Sequence, residues 1–297
     1  MGWFGENGLG IICDNGLVAE TDDCPCGCPS FTGRTITYVD KNVVGGTGDG
    51  STWANAYTSI QDAIDAKPKT EIDIQGYGES DAYPAGIILA ECVYLKGVDD
   101  VWIDGGGSGT GISGSSITTT KIDSINIKDC FNGFLNCYNI IKCIIYNCST
   151  GIKSTTHASI IDNCEVYNCS TGYSGSLFNI IDSNAHDNTS YGFSISDSVA
   201  FNCTAINNGL TGFYGNQLTL TNCISNGNTA SAFQVAMGFW NNSIITGSTY
   251  INCSASGNFD CGFADSGSPV YITCSESGNC QSGRASCQPI TGICDTV

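Results

Sequence analysis

The sequence predicts an all-β chain folded as a right-handed, single-stranded parallel β-helix with a short N-terminal capping helix. Three observations predict it: a repeat of about 20 residues through the C-terminal two-thirds, abundant glycine with scarce proline (38 against 6), and one isolated helical pattern ahead of the repeats. A small residue followed by a large apolar one recurs at Gly133-Phe134, Gly151-Ile152, Gly172-Tyr173, Gly192-Phe193, Gly212-Phe213, Ala232-Phe233 and Gly262-Phe263. The intervals are 18, 21, 20, 20, 20 and 30 residues. At a rise of ~3.3 Å per residue, such a unit makes three short strands and their corners, one coil of a solenoid. A leucine-rich repeat of similar period needs a Leu-x-x-Leu-x-Leu pattern, and helical repeats need longer units with 3.6-residue spacing; both are absent. The crossover rule for parallel strands sets the right hand.

Residues 1–35 form a Gly- and Cys-rich segment without periodicity, residues 36–270 the β-helix, and residues 271–297 a Cys-rich C-terminal cap. A strand over 35–40 and a glycine loop over 45–51 come first. Ala56, Ile60, Ala63 and Ile64 then recur at helical spacing and predict one amphipathic helix over 53–66, stopped by Pro68. Residues 71–117 read as irregular early coils, with short strands at 71–75, 87–89, 92–95 and 101–103. The interval of 30 before Gly262 predicts an insertion, placed at 236–248.

Equivalent residues of successive coils stack about 4.8 Å apart, so repeated residues become columns. The residues from Phe134 to Phe263 are expected to form an inner aromatic stack, the small residue before each allowing a sharp corner. Asn147, Asn168, Asn188, Asn208 and Asn228, each four residues before the small residue, are expected to form one amide column at a bend. Cys143, Cys164, Cys203, Cys223, Cys253 and Cys274 fall near one column, and Cys148 and Cys169 near another. Stacked Cα atoms come close enough for disulfides, but parallel Cβ vectors favour packed thiols acting as small apolar side chains.

The remaining cysteines sit differently. Cys13, Cys24, Cys26 and Cys28, and the C-terminal series Cys274, Cys280, Cys287 and Cys294, lie in Gly- and Ser-rich sequence with little core. They are expected to serve attachment or to staple the two ends through disulfides or a metal. Cys-x-Cys-x-Cys does not match the paired spacing of zinc ligands. The total of 19 is odd, so at least one cysteine stays unpaired within a monomer.

Ten Lys plus Arg against 28 Asp plus Glu leave a net charge of −18, which disfavours nucleic acid and anionic membranes as partners. No apolar run reaches the ~18 residues of a membrane span. The stretch Met1 to Gly8 lacks the basic and apolar regions of a secretory signal peptide, so a virion or extracellular location is expected by another route or after processing.

Tyr38-Val-Asp40, the glycine loop, the run from Gly50 to Asp65 and the run from Ile72 to Glu79 resemble the opening of pectate-lyase-like right-handed β-helix proteins. The resemblance spans residues 35–290 and implies that the predicted helix caps the open end of the first coil. That superfamily includes polysaccharide lyases and hydrolases, surface adhesins and bacteriophage tailspikes, so the resemblance implies a fold and leaves the function open. Residues 1–35 lie outside it and resemble the leaders that attach a fibre or spike to a phage particle. This implies partners among other virion or surface proteins, and a homo-oligomer, most simply a trimer.

A polysaccharide lyase needs a base, often Lys or Arg, and usually calcium held by carboxylates. No Lys or Arg occurs between Lys153 and Arg284. The Gly-His-Gly and Arg-x-Lys motifs of galacturonan hydrolases of this fold are also absent from the repeats. What remains is a partial acidic column at Asp123, Asp162 and Asp182, with Glu165, His186 and Asp187 close in phase. Asp162, Asp182 and His186 are the candidate acid–base set if the chain is an enzyme; otherwise they are solvated outer-face residues. Asp162 and Asp182 are also the candidate Ca²⁺ ligands; no other cofactor is expected. Phe239 and Trp240, in the insertion, are the candidate sugar-stacking platform, with lateral packing as the alternative. His157 stands alone. The expectation is a structural or receptor-binding virion protein, a fibre, spike or decoration protein, that binds surface glycans without cleaving them. A carbohydrate-active enzyme and a bacterial cell-surface adhesin are the alternatives.

Overall fold

In the computed structural model the chain winds into a parallel β-helix with three faces. The structure describes residues 31, 33–114, 120–155, 158–229, 248–259 and 270–277, together with the backbone of strands Ile11–Cys13, Gly16–Val18, Phe239–Asn241 and Phe263–Asp265. Face one stacks Asn139–Ile141, Ser159–Asp162, Phe178–Ile181, Val199–Phe201, Thr219–Thr221, Thr249–Ile251 and Val270–Ile272. Face two stacks Ile144–Tyr146, Glu165–Tyr167, Asn184–His186, Thr204–Ile206, Ile224–Asn226, Ser254–Ser256 and Ser275–Ser277. Face three runs from Thr110–Ser113 through Asn132–Leu135, Thr150–Ser154, Thr171–Ser176, Tyr191–Ser196 and Phe213–Gly215. In the early coils the single strands Tyr94–Asp104 and Lys121–Lys128 serve faces one and two together. Parallel pairing continues to Ser277, past the expected boundary at 270.

The capping helix is shorter than the periodicity predicts. Trp53–Asn55 is a separate 3₁₀ turn and the α-helix is Ile60–Ala66, with Ile60, Ala63 and Ile64 buried. Tyr57 leaves the helix because it bonds the edge of strand Ile36–Val39: its amide donates to the Tyr38 carbonyl at 2.9 Å, and Asp40 donates back at 2.8 Å. Ser59 then caps the helix by accepting from the Asp62 amide. Gln61 covers another open edge, since its side-chain amide both accepts from and donates to the Ile88 backbone.

Inside, Phe134, Ile152, Tyr173, Phe193 and Phe213 form one column, each 0–1% exposed. Tyr173 and Phe193 stack at 4.5 Å, and Phe193 and Phe213 at 4.6 Å. Each such ring pair adds about 0.5–1.5 kcal/mol beyond its burial. The inner residues of face two shrink in step, from Ile145 and Val166 to Ala185 and Ala205, which keeps the interior filled where the rings are largest. The small residue before each ring has a different role from the predicted one. Gly133, Gly151, Gly172 and Gly192 have ordinary backbone angles, but a Cβ on each would lie 2.5–2.8 Å from the carbonyl oxygen of the next coil's glycine. These glycines permit close approach; they do not make the corner.

The corners are made by left-handed residues instead. Lys142, Asn163, Asp182, Asn202, Asn222, Asn252 and Thr273 turn the chain from face one to face two. Asp129, Asn147, Asn168, Asp187 and Asn207 turn it from face two to face three, with Gly227 and Gly257 after them. Short polar side chains tolerate this conformation best after glycine. The predicted single asparagine column therefore divides. Asn147 and Asn168 sit at the left-handed corner, whereas Asn188, Asn208, Asn228 and Asn258 are buried one position later. The buried amides form a chain: the Asn188 side chain donates to Asn208 Oδ1 at 3.0 Å, Asn208 to Asn228 at 3.0 Å, and Asn228 to Asn258 at 2.9 Å.

Cysteine fills the equivalent inner corners. Among the described residues Cys92 is disulfide-bonded, and Cys130, Cys137, Cys143, Cys148, Cys164, Cys169, Cys203, Cys223, Cys253 and Cys274 are buried thiols. Cys164, Cys203, Cys223, Cys253 and Cys274 each point Sγ at the carbonyl two residues earlier, at 3.3–3.5 Å. Ser183 takes the same place in its coil, donating to Ile181 at 2.7 Å. The thiol is thus a small apolar side chain that still satisfies a carbonyl at a bend. Cys274 belongs to this core column.

Candidate functional site

Strand alternation on face two turns Ile145, Val166, Ala185 and Ala205 inward, so the residues after them lie outside. Tyr146, Tyr167, His186 and Ile206 occupy one outer column by register. Trp102 meets Tyr146 edge-on at 5.6 Å; Tyr146 and Tyr167 are parallel within 11° at 5.2 Å; Tyr167 and His186 are parallel within 5° at 5.1 Å. Parallel rings at this separation overlap with an offset, like tiles. All three of these stacked rings are half-buried.

Charged groups line the ladder. At one end Lys128 Nζ lies 3.2 Å from Glu79 and 3.5 Å from Asp104, while the Tyr146 hydroxyl donates to the same Glu79 carboxylate. The Tyr146 and Lys128 hydrogen bonds hold the Glu79 carboxyl below its ordinary range. At the other end His186 Nε2 is 2.9 Å from Glu165 Oε1 and Nδ1 is 2.8 Å from Asp187 Oδ2. Partial burial disfavours the imidazolium, but the Asp187 and Glu165 hydrogen bonds outweigh it and raise the His186 pKa. Both ring nitrogens donate only in the protonated form. Asp187 reaches back to its neighbour's ring because it stands at the left-handed corner.

The ring column stops at His186, because the next position holds aliphatic Ile206. There an open depression of about 420 Å³ is lined by Asn184, His186, Asp187, Thr204 and Ile206. Thr204 Oγ1 donates to Asn184 Oδ1 at 2.6 Å across its wall. Apolar floor, a ring face, an amide, a hydroxyl and a carboxylate thus converge on one hollow.

The residues singled out from the sequence are distributed differently. Asp123 and Asp162 share a column on face one with Ile141 between them, but Asp162 registers with Ile181, not Asp182. Asp182 sits one position on, at the corner, and accepts from Asn202 at 2.9 Å. Burial first, then the charges of Asp182 and Asp123, raise the Asp162 carboxyl above its ordinary range against the pull of Lys142. Asp162 and Asp182 are therefore neighbours, while His186 belongs to face two with Glu165 and Asp187. Among the described residues no group of three or more His, Cys, Asp or Glu is arranged to hold a metal ion.

Phe239 and Trp240 lie in a strand of face three, within the segment expected to be an inserted loop. Phe239 pairs in register with Phe213 and Phe263, and Trp240 with Tyr214. Phe239 is thus the backbone register equivalent of Phe213; Phe233 lies outside the described residues. Tyr214 itself stacks on Tyr191 at 5.0 Å. Cys13 ends the strand Ile11–Cys13, which pairs antiparallel with Gly16–Val18. Cys24, Cys26, Cys28, Cys280, Cys287 and Cys294 lie outside the described residues, as does His157. Tyr146 and Tyr167 are site residues without a catalytic or binding motif in the sequence, although the repeated tripeptide Tyr146-Asn-Cys148 and Tyr167-Asn-Cys169 marks them as equivalent.

No protein-family model matches the chain, and no curated protein does. Solved structures match over most of its length. A crystal structure of the pectate lyase Pel9A has a TM-score of 0.51 at 17% identity, covering 86% of this chain and 72% of that one. The A-module of the mannuronan C-5 epimerase AlgE4 from Azotobacter vinelandii has a TM-score of 0.47 at 18% identity, covering 82% and 79%. The tailspike protein gp49 from Acinetobacter baumannii bacteriophage Fri1, a capsular polysaccharide depolymerase, has a TM-score of 0.38 at 11% identity, covering 81% and 46%. The chain has the pectate-lyase-like parallel β-helix fold.

Proposed function

We propose that this protein binds glycans on face two and holds them without cleaving them. One observation carries the reading: the outer ring column from Tyr146 to His186 ends in a hollow walled by Asn184, Thr204 and Asp187. A pyranose has an apolar C–H face suited to Ile206 and the uncovered side of the imidazole, and hydroxyls suited to the amide, hydroxyl and carboxylate. A ring recurs once per coil from Tyr146 to His186, so an extended oligosaccharide along the helix axis would run beside the rings and end in the hollow. The fold, shared with a pectate lyase, also supports a carbohydrate ligand.

The non-cleaving part rests on the site's chemistry. Glu165 and Asp187 are both committed to one imidazole, so neither stands ready as acid or base. The chain also lacks a Lys or Arg base from Lys153 to Arg284. The finer role is that of a fibre, spike or decoration protein of a phage-like particle, trimeric and attached through residues 1–35. A Cys- and Gly-rich segment joined to a solenoid supports it. Hydrolysis is the second reading, favoured by the proximity of Glu165, His186 and Asp187 to the hollow.

A glycan array followed by product analysis tests the proposal. Binding without new reducing ends is expected. Time-dependent release of oligosaccharides would establish the second reading, and silence across the array would sink the first. Capsid or tail genes beside its gene, and a trimer mass by light scattering, are expected for the virion role.

A further inference from the structure

We infer that the hollow beyond His186 selects amino-bearing and neutral pyranosides and rejects uronates; this rests on the glycan-binding reading above. The argument is the charge of the walls. Glu165 and Asp187 flank a single imidazole at 2.9 and 2.8 Å, so the cluster carries a net −1 with His186 protonated and −2 with it neutral. Asp187 lines the hollow directly; His186 holds its Oδ2, and the side chain is 52% exposed, so the other carboxylate oxygen can meet a ligand.

Among the described residues no Lys or Arg lines the hollow, and its imidazole, when protonated, is already held by Glu165 and Asp187. The sequence has no Lys or Arg between Lys153 and Arg284, a span that contains every lining residue. Lys128, on the same face, belongs to the other end of the ladder and is held by Glu79 and Asp104. A chain of net charge −18 adds long-range repulsion. A uronate seated on Ile206 therefore places like charges together, with the imidazole already paired to Glu165 and Asp187. An ammonium in its place meets Asp187 and gains a charge-assisted hydrogen bond. A neutral sugar keeps the apolar contact and the Asn184–Thr204 hydrogen bonding, with neither effect.

The test uses matched hexasaccharides of glucose, glucosamine and glucuronate, each in β-1,4- and α-1,4-linked series, titrated calorimetrically into the full chain at a pH where the amines are protonated. Glucosamine hexamers are expected to bind tightest, and glucose hexamers at least about tenfold tighter than glucuronate hexamers, a difference of roughly 1.4 kcal/mol. Raising the salt is expected to narrow the spread. The double variant Glu165→Gln/Asp187→Asn is expected to bring glucosamine and glucose hexamers to similar affinity. Glucuronate binding as tight as glucose overturns the ligand class while the glycan-binding reading stands. Failure of all three chemistries to bind a folded protein overturns that reading as well.

Discussion

The imidazole of His186 lies 5.1 Å from the ring of Tyr167 with their planes 5° apart. Parallel register puts them there: Tyr167 pairs with His186 across successive coils, so the solenoid repeats a ring once per turn on its outer surface. The same register leaves the next position to Ile206 and opens the hollow. One rule of strand pairing thus connects the repeat to the candidate binding surface.

His186 is expected to titrate above an ordinary histidine. The fold raises its pKa, so its contribution to stability is fully present below the unfolded value of 6.5 and is lost as pH rises through the folded value. Imidazole NMR titration is expected to show the raised midpoint, and Asp187→Asn or Glu165→Gln to lower it. An unchanged midpoint in both variants would contradict the clamp.

The buried asparagine chain is expected to be the most sensitive polar feature. Asn208→Leu removes the acceptor for Asn188 and the donor to Asn228 in a site with no solvent exposure. A loss of about 2–4 kcal/mol is expected in urea unfolding, from buried groups left unpaired. At the exposed corner, Asn202→Ala is expected to cost about 1 kcal/mol and Asn202→Gly far less.

Gly172→Ala tests the close-approach role of the glycine column. Its Cβ would lie 2.5 Å from the Gly192 carbonyl oxygen, so the coils must separate. A destabilisation of about 1–3 kcal/mol or more is expected. Wild-type stability would show that the coils have slack that this geometry denies.

Thiol chemistry tests the cysteine columns. Cys203→Ser is expected to change stability by under about 1 kcal/mol, because Ser183 already fills the same position one coil earlier. Burial pushes the Cys137 thiol up to about 12. The core thiols are therefore expected to react with an alkylating reagent only after unfolding, as counted by mass spectrometry. Rapid labelling of Cys203 or Cys223 in the folded protein would contradict their burial.

The period of about 20 residues and the solvent-hidden columns were legible because packing imposes them on every coil. Phase within the coil was not. Asn147 and Asn188 look equivalent when counted back from the glycine, yet the left-handed corner lies four residues before Gly151 and five before Gly192, so Asn147 is the corner itself and Asn188 falls one position later, in the core. The same one-residue offset separates Asp182 from Asp162. Register decides such questions, and a slip of one residue exchanges inside for outside. The outer rings escaped notice because Tyr146, Tyr167 and His186 share a ring but not a residue type. Ala56 carries the helical spacing but lies before the helix, since backbone pairing of Tyr57 with strand Ile36–Val39 overrides it.

Affinity for the glycan that binds best, compared across single variants, tests the central claim that face two is the binding surface. Tyr167→Ala and His186→Ala are each expected to lose about tenfold or more, roughly 1.4 kcal/mol, while circular dichroism stays that of the folded β-helix. Phe201→Ala, on face one and 41% exposed, is expected to bind like wild type. Undiminished binding by both ladder variants, or loss confined to Phe201→Ala, would contradict the account.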